Sequence, residues 1–565
     1  MRTNLPTVAP QLLRSRLTKV CVAIVGSTPA EMIEKATSVV KETPFLEFRL
    51  DYLEKPLLAL PRFRQFFNDN TAATAIATCR REANGGKFAG SVAAEVEVLS
   101  KAAESGFHLA DIELQSAETI KKAGLQKLRE TGIALIVSYH DFNATKDLDG
   151  IYARIEPFNP DFVKIVSTAK ALVDNVTLIR FLEHRSDHTN IIGICMGDAG
   201  VISRVLGVRA GSAFTFAAAT PGEETGPGQI AARTLIETYR IDHVDAATKV
   251  YGVAGNPIRS SLSPVMMNTA FRRETVNAVY LALQTAKLSD LLKLVQEIPI
   301  QGVSITMPLK EEILPHLEQT DPLSAKIGAV NTVRLLDGKL FGFNTDVAGI
   351  VGPLEKRLSL RGAKVLVLGA GGAARAAVFG VRDRGAEVFI LNRTAETAQK
   401  LARQSGSKTI KKEALAKTSF DVIINATPVG MTGNKAPQIL EAKDLNTRLV
   451  FDLVYNPLET PLLHMARQKG IAIITGVEMF VQQGARQFEI FTGKPAPEEE
   501  MFRVVLHALR QQTAEAAAEA AEPAAPKAAT KSAAKPTAPK TPPKQAAAKP
   551  AAAKKAAKPT AKGKK

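Results

Sequence analysis

A lysine interrupts an apolar run in "DFVKIVSTA", Asp161 to Ala169. Side chains on a strand alternate faces, so Lys164 shares its side with Phe162, Val166 and Thr168, while Val163, Ile165 and Ser167 look the other way. Neither side is obviously wet. Other apolar runs carry similar intruders: Glu47, Arg49 and Asp51 in "FLEFRLDY", Arg80 at the end of "TAIATCR", His140 and Asp141 at the end of "IALIVSYHD". Singly, each has a plain explanation. A strand arginine pairs with a nearby acid, a lone histidine is a satisfied core residue, and Glu47 with Arg49 makes a same-face ion pair. Together, at matching positions on several strands, they describe a site. Desolvation and the like charges of Arg49, Arg80 and Arg204 would favour the uncharged amine of Lys164, which is a nucleophile. With a carbonyl substrate that amine forms a Schiff base, whose cationic nitrogen acidifies the neighbouring C–H bond. His140 on the adjacent strand is then the natural general acid and base.

The second half carries different chemistry. "AKVLVLGAGGAARAAVFGVRDRGAEVFILNRT" reads as strand, glycine-rich turn, helix and strand, and Gly369, Gly371 and Ala374 fit the turn that seats a pyrophosphate on a helix N-terminus. The residue ending the second strand selects the cofactor. An acid there would accept the ribose hydroxyls of NAD, whereas Arg393 pairs with a 2′-phosphate, so NADP is expected, with some help from Lys400. "SITMPLKEE" puts Lys310 beside a turn, and "GFNTDVAGI" puts Asn344 and Asp346 at a helix start. A surface lysine and an N-cap aspartate are the dull alternatives; as a pair near a nicotinamide they would relay the proton that accompanies hydride transfer. In "GNPIRSSLSP", Ser263 before Pro264 is expected to cap a helix, and the hydroxyls of Ser261 and Ser263 equally suit a polyhydroxylated ligand.

The elements that must position these groups follow from the pattern of runs. "KVCVAIVG", "FLEFRLDY", "TAIATCR", "HLADIELQ", "IALIVSYHD", "FVKIVSTA", "NIIGICMG" and "SAFTFAAA" are eight strands separated by helix-like stretches. Such alternation implies right-handed crossovers and a parallel sheet that closes into a (β/α)8 barrel, with a doubly wound open sheet as the alternative. In a barrel the polar groups would gather at the C-terminal mouth. The expected fold is α/β throughout: a barrel at 1–242; an α/β substrate domain at 249–360, completed by helices at 478–510; a Rossmann domain at 361–477; and a disordered Ala/Lys/Pro-rich tail at 513–565.

Composition supports a large, multidomain, non-membrane chain. Its 565 residues exceed one core, and 45% are apolar. Cys21, Cys79 and Cys195 lie far apart without zinc or disulfide spacing, so no metal is expected and a reducing cytoplasm is. No run reaches the length of a membrane span. The first 30 residues hold Arg2, Arg14, Arg16 and Lys19 and no acid, a pattern shared with transit peptides, although a strand near Lys19 argues against one. Net charge is +17, and from Thr513 on twelve lysines face three glutamates. That tail has no aromatic residue to stack on bases, so any nucleic-acid or other polyanion partner would be held weakly, through phosphates alone.

"EFRLD", "SYHDF", "VKIV", "GVISR" and "TGPGQI", over about residues 19–240, resemble the type I 3-dehydroquinate dehydratases, a Schiff-base barrel family. The resemblance implies that Lys164 forms an imine with the C3 ketone of 3-dehydroquinate. His140 would remove the C2 proton and later protonate the departing C1 hydroxyl, giving 3-dehydroshikimate. Glu47, Arg49 and Arg80 would bind ring hydroxyls, Arg204 would clamp the carboxylate, and Thr225 and Gln229 would close a lid. One departure stands out: many members carry glutamate where "CRREANGG" has Asn84, which can orient His140 but cannot act as an anion, and Glu82 lies two residues earlier.

From Lys249 to Leu509, "GNPIRSSLSP", "TMPLKE", "GAVNT", "NTD", "GAGGAA", "NRT", "NATPVGM" and "GVEMFVQQ" are similar to shikimate dehydrogenase. That likeness implies Lys310 and Asp346 as the catalytic pair. Ser261, Ser263, Thr306, Asn331, Tyr455 and Gln483 would contact substrate, while Gly369, Gly371, Gly372, Ala373, Asn392, Arg393 and Thr394 hold NADP with Thr427 near its path. Family members often have asparagine where Ser304 stands and a second cation where Thr397 stands. The two halves together imply a bifunctional enzyme in the order familiar from plants, acting on 3-dehydroquinate, 3-dehydroshikimate and shikimate. Three alternatives stay open: quinate as the second substrate, a barrel serving only as scaffold, and nucleic-acid association through the tail.

Overall fold

The computed structural model describes residues 13, 15–185, 190–258 and 260–521. Eight short strands open the chain: β1 (Val20–Ile24), β2 (Phe45–Arg49), β3 (Thr74–Thr78), β4 (Leu109–Glu113), β5 (Ala134–His140), β6 (Phe162–Thr168), β7 (Ile191–Met196) and β8 (Thr215–Ala218). Each pairs in parallel with its successor from β1 to β7, and β8 returns to β1, so the sheet curls into a nearly closed barrel. Alternation sorts the side chains. Phe45, Ile76, Leu109, Ile136, Phe162, Val166, Ile192 and Phe216 fill the interior, while Phe48, Ala77, Ile112, Val137, Val163 and Ile165 meet the surrounding helices. Buried on both faces, the strands read as nearly continuous apolar runs, which is why polar intruders mark them. Helix starts follow local chemistry: Thr28 Oγ1 accepts from Glu31 N ahead of Pro29, and Ser91 accepts from Ala94 N.

The second sheet runs β10-β9-β11-β13-β14-β12, from β9 (Lys249–Gly255), β10 (Ala278–Gln284), β11 (Ile300–Ile305), β12 (Gln319–Thr320), β13 (Thr332–Leu336) and β14 (Lys339–Phe343). One of its faces, with Leu281, Leu283 and Val303, joins the same buried cluster as the outer barrel residues Ile241 and Val244. The opposite face, with Tyr251 and Tyr280, packs on Phe271, Phe480, Phe488 and Phe491 of the helices Ser263–Arg273 and Gly476–Thr492. Arg180 with Glu297, and Arg209 donating to the Thr248 carbonyl, add polar contacts between barrel and sheet.

The third sheet comprises β15 (Lys364–Leu368), β16 (Glu387–Leu391), β17 (Lys408–Thr409), β18 (Phe420–Asn425), β19 (Thr447–Asp452) and β20 (Ala472–Ile474). Its order, β17-β16-β15-β18-β19-β20, reverses between β15 and β18, the crevice where doubly wound sheets bind ligands.

Two expectations are corrected. Ser263 does not cap its helix: the capping position is Leu262, no side chain caps, and Ser263 is already the first helical residue. The last helix, Glu498–Ala521, also continues past Thr513, where the tail was expected to begin. "AEAAAEAA" lacks the proline that breaks the later repeats, and alanine favours the helix. The remainder of the tail, and with it the polyanion partner expected there, falls on residues 522–565, outside the described ones. No helix among the described residues is long and apolar enough to cross a membrane.

Candidate functional site

The expected barrel residues all meet at one mouth. Glu47, Arg49, Arg80, His140, Lys164, Arg204, Thr225 and Gln229 line a single cavity with Phe142, Met196 and Phe216. Lys164 is 3% exposed. Its ammonium donates to Asp111 Oδ2 at 2.7 Å, lies 3.6 Å from Glu47 Oε1 and rests 3.9 Å over the Phe216 ring. This corrects the expectation of an amine sequestered among arginines, since its nearest charged partners are carboxylates. Asp111 also accepts from Ser138 Oγ. Burial pushes its carboxyl up, but the charges of Lys164 and Arg80 outweigh that and hold it well below the ordinary range.

The arginines divide by partner. Arg49 grips Asp51 through two bonds of 2.9 and 2.8 Å, so the suggested Glu47–Arg49 pair is not the one formed. Glu47 instead accepts from Thr78 Oγ1. Arg204 is 3% exposed and has no carboxylate partner among the described residues; it donates only to the carbonyls of Gly228 and Phe216. Burial lowers its pKa to about 10. A buried cation that meets only carbonyls is a receptor for an anion. The loop above it is organised by Gln229, whose Oε1 accepts from Thr225 N and Oγ1.

His140 is likewise buried. Desolvation first, then the Arg80 and Lys164 charges, push its pKa well below the ordinary value, so the imidazole is neutral and able to take a proton. Its Nδ1 lies 2.5 Å from Glu113 Oε1, and Phe142 stacks on the ring at 6.2 Å. Asn84 lies on a one-turn helix, Glu82–Asn84, where its Oδ1 receives Arg81. Asp111 and Glu113 were missed, although "LADIEL" places both on Leu109's inward face, two residues apart.

The second constellation is built at helix starts. Asp346 opens the helix Asp346–Glu355, and Thr345 rather than Asp346 holds the capping position. Its Oδ2 receives Lys310 Nζ at 2.5 Å and its Oδ1 receives Asn331 Nδ2 at 2.7 Å. Both the surface-lysine and the cap alternatives therefore give way to an ion pair between a half-buried lysine and a buried aspartate. Asn344 closes the same turn, its Oδ1 accepting from Asp346 N. Thr306 heads the turn that carries Lys310, packed so closely that a Cβ on Gly255 would come within 2.3 Å of it. Ser304, behind the site, accepts from Tyr280 and donates to Gln487. Ser261 bonds the Tyr455 hydroxyl, Ser263 is buried beside it, and Tyr455 stacks 4.3 Å from Phe480, whose carbonyl accepts from Gln483.

The nucleotide turn lies next to this pair: a Cβ on Gly372 would come 3.3 Å from Lys310 Cδ. Gly369 takes φ +109°, and the helix Gly372–Asp383 begins one residue after Gly371, with Ala373 in its first turn. Nothing lies within 4 Å of a Cβ built on Gly371, so the helix N-terminus faces open space. Thr427 flanks Gly369 across the β15/β18 crevice. After β16, Asn392 donates to the Thr394 carbonyl, while Arg393 is exposed and has no partner among the described residues. An exposed Arg393, open space at Gly371 and unpaired helix amides suit a phosphorylated dinucleotide.

Fold and sites together define a Schiff-base-type barrel fused to a dinucleotide-dependent dehydrogenase. Family models agree: type I 3-dehydroquinase matches residues 20–246, the shikimate dehydrogenase substrate binding domain 253–333, shikimate/quinate 5-dehydrogenase 354–457, and the shikimate 5′-dehydrogenase C-terminal domain 476–506. The chloroplastic bifunctional 3-dehydroquinate dehydratase/shikimate dehydrogenase of Arabidopsis thaliana is 34% identical over 515 residues, covering 86% of this chain and 84% of that one. The NADP(+) shikimate dehydrogenase of Pyrococcus furiosus is 40% identical over 277 residues, 48% of this chain and 99% of that one. A crystal structure of the Thermus thermophilus shikimate 5-dehydrogenase with NADP(H) and shikimate has TM-score 0.44 and 37% identity, covering 46% of this chain and all of that one. The chain belongs to the family of bifunctional 3-dehydroquinate dehydratase/shikimate dehydrogenases.

Proposed function

We propose that the chain performs two consecutive steps of the shikimate pathway: dehydration of 3-dehydroquinate in the barrel, then NADPH-dependent reduction of 3-dehydroshikimate to shikimate. The observation that carries the first step is a buried lysine, 2.7 Å from a carboxylate, in one cavity with a neutral histidine and an arginine that has no carboxylate partner among the described residues. Arg204 takes the substrate carboxylate, and Glu47, Arg49 and Arg80 take ring hydroxyls. Asp111 holds Lys164 in place, and in its uncharged form the amine attacks the C3 ketone with loss of water. His140 removes the C2 proton and returns it to the C1 hydroxyl as that leaves as water, and a second water then hydrolyses the imine, freeing 3-dehydroshikimate and the Lys164 amine. Thr225 and Gln229 cover the ring.

In the second half, NADPH would supply the hydride when bound on the glycine turn. Gly369, Gly371, Gly372 and Ala373 would hold the pyrophosphate, with open space at Gly371, Arg393 would pair with the 2′-phosphate, and Asn392, Thr394 and Thr427 would help hold the nucleotide. Lys310 gives the ketone oxygen a proton, and Asp346 orients the ammonium. Ser261, Ser263, Thr306, Asn331, Tyr455 and Gln483 hold the hydroxyls and carboxylate. The dehydratase corresponds to 1–242, the substrate domain to 249–360 with 478–510, and the nucleotide domain to 361–477. Three free, buried cysteines fit a reducing compartment such as the cytoplasm.

One cuvette tests the reading. With NADPH, the Lys164→Ala variant is expected to stop cofactor consumption from 3-dehydroquinate and leave consumption from 3-dehydroshikimate unchanged. Consumption from 3-dehydroquinate at the wild-type rate would overturn it.

A further inference from the structure

We propose that Glu113 is the positioning residue for His140 in this chain, supplying the carboxylate that Asn84 does not. The inference rests on the dehydratase reading above. β4 lies between β3, which leads into Arg80, and β5, which ends at His140, and Glu113 points inward from its last position. Its Oε1 is 2.5 Å from His140 Nδ1 and 2.9 Å from Arg80 Nε, and the carboxylate is 2% exposed. Asn84 is turned to Arg81, at 3.4 Å. A histidine that accepts a proton at Nε2 carries its own hydrogen on Nδ1, and that hydrogen needs an acceptor which also stabilises the imidazolium. Glu113 is that acceptor.

The distances are short, but the alignment is not yet that of hydrogen bonds: Arg80 Nε, Glu113 Oε1 and His140 Nδ1 are all buried without a well-directed partner. Bound substrate that draws Arg80 outward would release Glu113 to the imidazole, since the two compete for one oxygen. Charge is matched around the pair. Arg80 offsets Glu113 as Lys164 offsets Asp111, so moving a proton between His140 and substrate leaves no isolated buried ion.

Glu113 faces Arg80, His140, Asp111 and Lys164, with Glu95 farther behind. Burial raises its carboxyl pKa to about 7, against the pull of Arg80 and with the push of Asp111. The ionised form is the one that accepts from Nδ1, so dehydration should gain rate as pH rises through about 7.

The test compares Glu113→Gln with Asn84→Ala. Glu113→Gln is expected to lower kcat for dehydration about 100-fold, the scale of one general acid–base contribution. Its KM should stay within about threefold, and the acid limb of the pH profile should disappear. Borohydride should still trap a substrate adduct on Lys164. Asn84→Ala should change kcat less than about threefold. An unchanged kcat or pH profile in Glu113→Gln, loss of its adduct, or an equal loss of kcat in Asn84→Ala would each overturn the assignment. Failure to trap any adduct in the wild-type enzyme would instead sink the Schiff-base reading. Reduction of 3-dehydroshikimate by the same samples reports on folding, and Glu113→Asp, which keeps the charge, should retain the acid limb.

Discussion

Arg204 differs from the other arginines of the mouth in having carbonyls and, among the described residues, no carboxylate for company. Its charge is therefore uncompensated until an anion arrives, and the interaction should appear in substrate affinity. Replacing it by methionine keeps the stem and removes the fork, and is expected to raise the KM for 3-dehydroquinate about 10- to 100-fold, the worth of a charge-assisted bond. Arg204→Lys should fall between, because an ammonium cannot bind both carboxylate oxygens in one plane. Steady-state kinetics at fixed pH decide this, and equal KM values in all three proteins would remove Arg204 from the carboxylate site. At this scale much of the chemistry was legible, because a lysine or histidine inside an apolar strand is conspicuous. Asp111 and Glu113 escaped notice for a physical reason. "HLADIELQ" looks like an ordinary alternating strand with a wet face, and only closure of the barrel turns that face toward Lys164 and His140.

At the scale of elements, helix N-termini do the positioning in the dehydrogenase half: Asp346 opens one helix, and Gly372, beside Lys310, opens another. Gly371, just before the latter, has φ −82° and ψ −171°, extended backbone open to any residue, and empty space where its Cβ would stand. Gly371→Ala should therefore leave the melting temperature unchanged, yet its methyl would stand in the space left for the pyrophosphate. The KM for NADPH is expected to rise at least about tenfold, one 1.4 kcal/mol step, with the KM for 3-dehydroshikimate little affected. A large drop in melting temperature would show the glycine to be required by the fold instead. The strands, the crossovers and this turn followed from runs and spacing alone. Helix boundaries did not. Ser263 has the residue type of a cap, but the helix begins one residue earlier than that reading requires, because Leu262 already takes helical angles.

For the whole molecule, acid is the expected weakness. The chain already carries a net charge of +17 at neutral pH, and protonating carboxylates only adds to self-repulsion. His108 contributes from the barrel floor, far from the mouth, where its Nδ1 accepts from Ala75 N and its ring meets the edge of Phe67. Burial, aided by the Arg16 charge, lowers its pKa from 6.5 to about 4. The sign follows directly. The folded protein resists a proton that the unfolded chain accepts near pH 6.5, so this contribution to stability is intact above that value and is lost as pH falls toward 4. His108→Asn keeps an acceptor for Ala75 N and cannot be charged. Its melting temperature at pH 7 should match the wild type, while the fall between pH 7 and pH 4.5 should be smaller by about 2–4 °C, the scale expected for a domain of this size. If both proteins lose stability in parallel across that range, the floor histidine is not what limits the fold in acid, and the excess positive charge is left as the cause.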